Sequence, residues 1–189
     1  LFVASKLSDY LGGIKVLGDF DTSFEFNGRS CYVGNGKIEY LDNVNNIILL
    51  GTNPRKEASV INARIRKAWL NGSNVYRLGL EENLTYDVRE LGQSFFDFQI
   101  FLDKMGPKKS FWSNTMFLVG YNFLNAKSSA SALNKVRSLV EKYNSKFLVL
   151  HQNASAVGSL DLGFKTDYNT KQKLNTETET IYNLGCDTL

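Results

Sequence analysis

The residues best placed to do chemistry are Gly51-Thr52-Asn53-Pro54, set between the apolar run Ile47 to Leu50 and a basic amphipathic segment. A turn of this kind can present a helix N-terminus, with its free amide donors, to a phosphate. It holds a single glycine, and Pro54 removes one amide donor, so a capped strand-to-helix turn without a ligand is the simpler reading. Neither GxGxxG after a strand nor GxxxxGK[ST] occurs. His151, the only histidine, follows the run Phe147 to Leu150, where α/β sheets place ligands at the carboxyl ends of their strands. Ser155 and Ser159 beside it lack the sharp elbow turn that exposes a nucleophile, so a packed, hydrogen-bonded histidine is expected.

Other reactive side chains give weaker signals. Asp161, ahead of Gly163, could meet a polar ligand group, but a carboxylate near a helix end is more often solvated or paired. Glu81 and Glu82 are neighbours in sequence and point different ways, so they form no converging acid pair. Arg55, Lys56, Arg64, Arg66 and Lys67 lie opposite an apolar stripe, either as a solvated face or as a surface for an acidic partner or a phosphate. Cys31 and Cys186 are far apart and show no CxxC spacing, so neither a disulfide framework nor a metal site is expected.

Behind these residues stands a regular alternation of elements. The run Ile47 to Leu50 has no polar alternation, which suits a strand covered on both faces in a parallel sheet. Asn53 can cap a helix that starts at Pro54. Val60, Ile61, Ile65, Ala68 and Trp69 recur at helical steps, so that helix should pack one face on the sheet. Asn71-Gly72 stops it, and Val75 to Leu80 resumes as a strand, completing a β-α-β unit over Asn46 to Leu80.

Further along, Glu81 to Arg89 is expected as a polar loop and Gln93 to Met105 as a helix, followed by a linker at Gly106 to Lys109. The alternation then restarts with a strand at Met116 to Val119, a helix at Asn125 to Tyr143, a strand at Phe147 to Leu150 and a short helix ending at Gly163. Phe2 to Leu11 is expected as a helix and Ile14 to Leu17 as a strand. Lys165 to Glu179 is expected as a surface loop and Ile181 to Leu184 as a last strand. The prediction is an α/β fold of Rossmann-like parallel strands with helices on both faces. Its expected division is a first lobe at 1–108 containing the Gly-Thr-Asn-Pro unit and a second, incomplete lobe at 109–189.

A chain of 189 residues can bury a substantial core, as one large sheet or as two smaller lobes. A net charge of +3, with the basic residues dispersed, argues against a nucleic-acid partner. No apolar run approaches the ~20 residues that span a bilayer, so no direct membrane insertion is expected. No secretory signal is apparent, and the missing initiator Met suggests a processed or truncated start.

The blocks LLGTNPRKEASVINARIRKAWLNG, GLEENLTYDVRELG and HQNASAVGSLDLGFK occur in an order and at separations that resemble the carboxyl-terminal region of the large iron–sulfur subunit of respiratory complex I, the NADH:ubiquinone oxidoreductase. The resemblance is strongest over Ile47 to Gly92 and good over Leu148 to Lys165. It implies a molybdopterin-oxidoreductase-like domain in the matrix-side arm of the complex, with no molybdenum cofactor and no catalytic residues in this chain. In the related molybdenum enzymes the Gly-x-Asn-Pro turn approaches a guanine dinucleotide, and an acidic residue ending the next strand reads the guanine. Here that strand ends in Leu78-Gly79-Leu80. Gly51, Asn53, Pro54, His151, Asp161 and Gly163 therefore stand as vestiges of a cofactor site.

The family's cluster-binding cysteines are absent, so iron–sulfur clusters and FMN are expected in neighbouring chains, and the sequence corresponds to an interior portion of the large subunit, as a fragment or a split-gene product. The expected partners are other complex I subunits, above all the one carrying the clusters, with Arg55, Arg64, Arg66 and Lys67 as the candidate contact residues. The expected location is the matrix side of the mitochondrial inner membrane. Two alternatives stand beside this reading: an oxidoreductase fragment that binds molybdopterin guanine dinucleotide, and a free-standing nucleotide-binding module.

Overall fold

The computed structural model describes residues 2–11, 29–81, 83–106, 108–124, 126 and 129–164. The strand expected at Ile14 to Leu17, the loop at Lys165 to Glu179, the strand at Ile181 to Leu184 and Cys186 lie outside them. Helix α1 (Phe2–Tyr10) has no buried residue, and α2 (Ser30–Val33) and a 3-10 turn (Ile38–Asp42) lead into strand β1 (Asn46–Leu50). Residues Ile47 to Leu50 are fully buried, as an apolar run without alternation requires. Each such side chain contributes roughly 1.5–3 kcal/mol on leaving water.

The helix expected from Pro54 onward is two helices, α3 (Pro54–Glu57) and α4 (Ser59–Leu70). Ala58 separates them, with φ −152° and ψ 74°. Glu57 turns its side chain back onto Thr52 and Asn53 at this break. On α4, Ile61, Ile65 and Ala68 are buried and Trp69 is partly buried, whereas Val60, expected inward, is exposed. Val60 lies in the first turn after the break, where the periodicity of the longer run does not carry through.

Strand β2 (Asn74–Leu78) is followed by β3 (Arg89–Gly92), a strand at the end of the stretch expected as loop. Its first two residues, Arg89 and Glu90, are exposed, and charge is a common feature of edge strands. Then come α5 (Phe95–Met105), α6 (Lys109–Trp112), β4 (Thr115–Val119), α7 (Tyr121–Leu124), α8 (Ser129–Tyr143), β5 (Lys146–Val149) and α9 (Ala156–Asp161). Trp112 anchors α6: it is fully buried, stacks on Phe117 at 6.0 Å and donates its indole N–H to Met105 O at 2.9 Å.

The five strands form one parallel sheet in the order β3-β2-β1-β4-β5. β4 pairs with β1 along its length, from Thr115 opposite Asn46 to Val119 opposite Leu50. The stretches expected as two lobes thus contribute strands to a single sheet, because β1, buried along its whole length, takes a partner on each edge. Alternate side chains divide between two cores. Ile47, Leu49, Val75, Met116 and Leu118 pack with α4, while Ile48, Leu50, Tyr76, Phe117 and Val119 pack with α5, α6, α7 and α8. Helices cover both faces. The chain adds β2 and β3 on one side of β1 and then returns to add β4 and β5 on the other, so the strand order reverses between β1 and β4, the point where doubly wound sheets receive ligands.

Candidate functional site

The carboxyl ends of β1, β2 and β4 meet at this switch point. Gly51 has φ +57°, donates its N–H to Leu78 O at 2.9 Å, and lies so close to α7 that a Cβ there would stand 2.7 Å from Phe123 N. Gly120 donates to Leu50 O at 2.9 Å, and a Cβ on it would stand 2.5 Å from both Gly51 O and Thr52 Cβ. Only glycine fits either position. Asn53 caps α3 by accepting from Arg55 N–H at 3.1 Å, and Pro54 occupies the first helical position, as expected for the turn. Glu57 accepts from the Thr52 hydroxyl at 2.7 Å and from Asn53 N–H at 3.0 Å. This is a capping box displaced by one residue.

Beside the turn is a cleft of about 430 Å³, lined among others by Gly51, Asn53, Arg77, Leu80, Phe95 and Phe123. Arg77 is its one charged lining residue among those described, and it is 4% exposed. Its guanidinium grips Glu90 with two bonds, Nε to Oε2 at 3.1 Å and Nη2 to Oε1 at 2.5 Å, across the register that pairs β2 with β3. A fork of this kind satisfies carboxylate and guanidinium together.

His151, Asp161 and Gly163 do not line the cleft. Asp161 accepts from the Tyr32 hydroxyl at 2.5 Å and from Arg29 Nε at 3.0 Å, tying α9 to α2. The Tyr32 hydroxyl first, and Arg29 second, hold the Asp161 carboxyl below its ordinary range, and the same contact raises the Tyr32 phenol. His151 Nε2 faces Tyr32 O at 2.5 Å. A carbonyl only accepts, so Nε2 carries the proton. Gly163 follows α9 with φ +80°. The six residues grouped by the resemblance thus fall into two sets, Gly51, Asn53 and Pro54 at the turn and His151 and Asp161 around Tyr32, with Gly163 beyond α9.

The basic residues expected to face a partner make contacts within the chain. Arg64 Nη1 lies 2.7 Å from Asp42 Oδ2 and Lys67 Nζ 3.7 Å from Asp42 Oδ1, bracing α4 against the 3-10 turn. Arg55 Nη1 donates to Asn83 O at 3.3 Å and Arg66 Nη1 to Thr85 O at 3.0 Å. With Tyr86 OH donating to Asn62 Oδ1 at 3.1 Å, they clamp the connection from β2 to β3 onto α3 and α4. Lys67 and Arg66 remain exposed.

Sequence reasoning missed Glu57, Arg77, Arg29 and Tyr32. Arg77 alone left a signal, as a charge inside the run Val75 to Leu80. Cys31 is buried, with Arg137 Nη1 3.0 Å from its sulfur. Among the described residues no cluster of three or more His, Cys, Asp or Glu could hold a metal ion, and no helix is long and apolar enough to cross a membrane.

A family model described as Molybdopterin oxidoreductase matches residues 1–188. The mitochondrial NADH-ubiquinone oxidoreductase 78 kDa subunit of Candida albicans is 33% identical over 193 residues, covering 96% of this chain and 26% of that protein. The NADH-ubiquinone oxidoreductase 75 kDa subunit of Reclinomonas americana is 31% identical, covering 84% and 25%, and an NADH-quinone oxidoreductase subunit of Rickettsia bellii is 30% identical, covering 92% and 26%. The chain spans about a quarter of the length of the curated relatives it matches. It belongs to the molybdopterin oxidoreductase family, among relatives that are subunits of NADH-ubiquinone and NADH-quinone oxidoreductases.

Proposed function

We propose that the chain is a non-catalytic structural domain of the matrix-side peripheral arm of mitochondrial NADH:ubiquinone oxidoreductase, supporting assembly of its electron-transfer arm. In this reading it carries no cofactor, and the iron–sulfur clusters and FMN belong to neighbouring chains. Its partners are other subunits of the complex, foremost the one bearing the clusters.

The observation that carries the reading is the make-up of the cleft. A guanine dinucleotide is read by a carboxylate at the guanine and by donors at its phosphates, and the carboxylate is missing: the polar side chains of the cleft are Thr52, Asn53, Arg77, Gln93 and Asn122. The end of β2 is Leu78-Gly79-Leu80, which offers no side-chain acceptor. Arg77 is bound to Glu90, and Asn53 N–H and the Thr52 hydroxyl are bound to Glu57. Leaving a buried ligand group unmatched costs roughly 1–3 kcal/mol for each. Asp161, the acid retained in the later motif, is held by Tyr32 and Arg29 away from this cleft.

The test is molybdenum analysis together with extraction of fluorescent oxidised pterin from the native complex that contains this chain. Both should be far below one equivalent per chain. Stoichiometric pterin would replace this reading with that of a dinucleotide-binding oxidoreductase fragment.

A further inference from the structure

This inference rests on the proposed role as one domain of a larger assembly and concerns the face by which the domain docks. On α4, Ile61, Ile65 and Ala68 face the sheet. Val60, Ala63, Lys67 and Leu70 recur at steps of three, four and three on the opposite side of the helix. Val60 is 70% and Leu70 66% exposed, neither belongs to either core, and Ala63 and Lys67 are exposed between them. Apolar residues scattered singly over a surface carry no message. This spacing is that of a helix–helix seam, with a small residue where a second helix approaches closely.

The seam is bordered by positive charge. From Pro54 to Leu70 the chain carries Arg55, Lys56, Arg64, Arg66 and Lys67, and the only acid there, Glu57, is turned onto Thr52 and Asn53. Arg64 is taken up by Asp42, whereas Lys67, 3.7 Å from the same carboxylate, keeps 65% of its side chain exposed. Arg66 is exposed while it holds Thr85 O. In a chain whose net charge is only +3 this is a local concentration, and an interface that covers it needs acids opposite. The spacing thus selects the shape of the partner, and the charge selects its composition.

We propose that Val60, Ala63, Lys67 and Leu70 form a docking seam for an amphipathic helix of a neighbouring subunit, apolar along its contact stripe and edged by Asp and Glu. Such a helix, packed at ~8–10 Å between axes, covers Val60 and Leu70 and brings its acids to Arg66 and Lys67. The apolar stripe supplies the burial, and the charges at its edge fix register and partner choice.

The test uses the full chain in its native complex, with p-benzoylphenylalanine in place of Leu70 and mass spectrometry of the photo-crosslinked peptide. The expected product joins this position to a segment with apolar residues at three- and four-residue steps and acids beside them. Val60→Asp, and separately Ala63→Glu, should lower its yield by at least ~10-fold, because each sets a carboxylate against the acids of the partner. Ile100→Glu, at an exposed apolar position of α5, should leave the yield within ~2-fold of the unsubstituted chain. All three sites are exposed, so the urea midpoint should stay at its wild-type value in each variant. No crosslink, a crosslink to a basic segment, to lipid or to nucleic acid, or a yield that ignores both α4 substitutions would overturn the docking seam. Any of these with subunits of NADH:ubiquinone oxidoreductase still recovered beside the chain leaves the proposed role standing without this face. A crosslinked acidic helix with those subunits missing would keep the seam and remove that role.

Discussion

Asp161 shows how a residue that looks like a ligand can be a strut. Its carboxylate is fixed by Tyr32 and by Arg29, 132 residues away in the chain, so nothing near it in sequence announces the pairing. A carboxyl whose folded pKa is depressed contributes stability above its unfolded value, ~4, and loses it as pH falls through the folded value. Asp161→Asn should therefore lower the urea midpoint near neutral pH, and the gap from wild type should close as the solution is acidified. A gap that persists at low pH would show that the charge is not what anchors α9 to α2. Gly51, Asn53 and Pro54 were legible because a turn and its cap are local. Gly120 was not, since its need for glycine comes from Gly51 O and Thr52, far away in sequence. Gly120→Ala should cost about 1–3 kcal/mol in chemical denaturation, because backbone cannot yield as a flexible side chain can. Unchanged stability would mean that the two loops are not in contact.

Among the elements, β1, β4 and β5 were readable as apolar runs, and α4 and α8 from their periodic inward residues. β3 was hidden because Arg89 and Glu90 make it look like loop, whereas in the sheet Glu90 stands opposite Arg77 of the neighbouring strand and bonds it. The split between α3 and α4 was hidden because it lies in the non-helical backbone of Ala58, and alanine is a residue that suits a continuous helix. The connection from β2 to β3 carries no helix among its described residues and is held by Arg55, Arg66 and Tyr86 instead. Burial raises the Tyr86 phenol well above its usual pKa, as expected for a hydroxyl enclosed by this clamp. Arg66 is exposed, so Arg66→Ala should lower global stability by less than ~1 kcal/mol. Its larger effects should be faster amide exchange across 83–88 and weaker assembly of the chain into its complex. A variant that assembled normally but lost turnover in the complex would contradict a structural role for this face.

At the scale of the whole molecule, one sheet with a helix-covered core on each face accounts for why the fold was legible: the strands and their crossovers are specified by patterns a few residues long. Its organisation as one sheet was not, because the pairing of β1 with β4 joins segments that β2 and β3 separate in the chain. The similarity to NADH-ubiquinone and NADH-quinone oxidoreductase subunits extends over most of this chain but only about a quarter of theirs, and the role proposed here is one within that larger assembly. The most direct measurement is affinity purification of the tagged chain under conditions that keep respiratory complexes intact, with quantitative mass spectrometry of what accompanies it. Subunits of NADH:ubiquinone oxidoreductase, including the cluster-bearing chain, should be recovered in near-equal proportion to it. Recovery of the chain alone, or with proteins unrelated to that complex, would contradict the proposal.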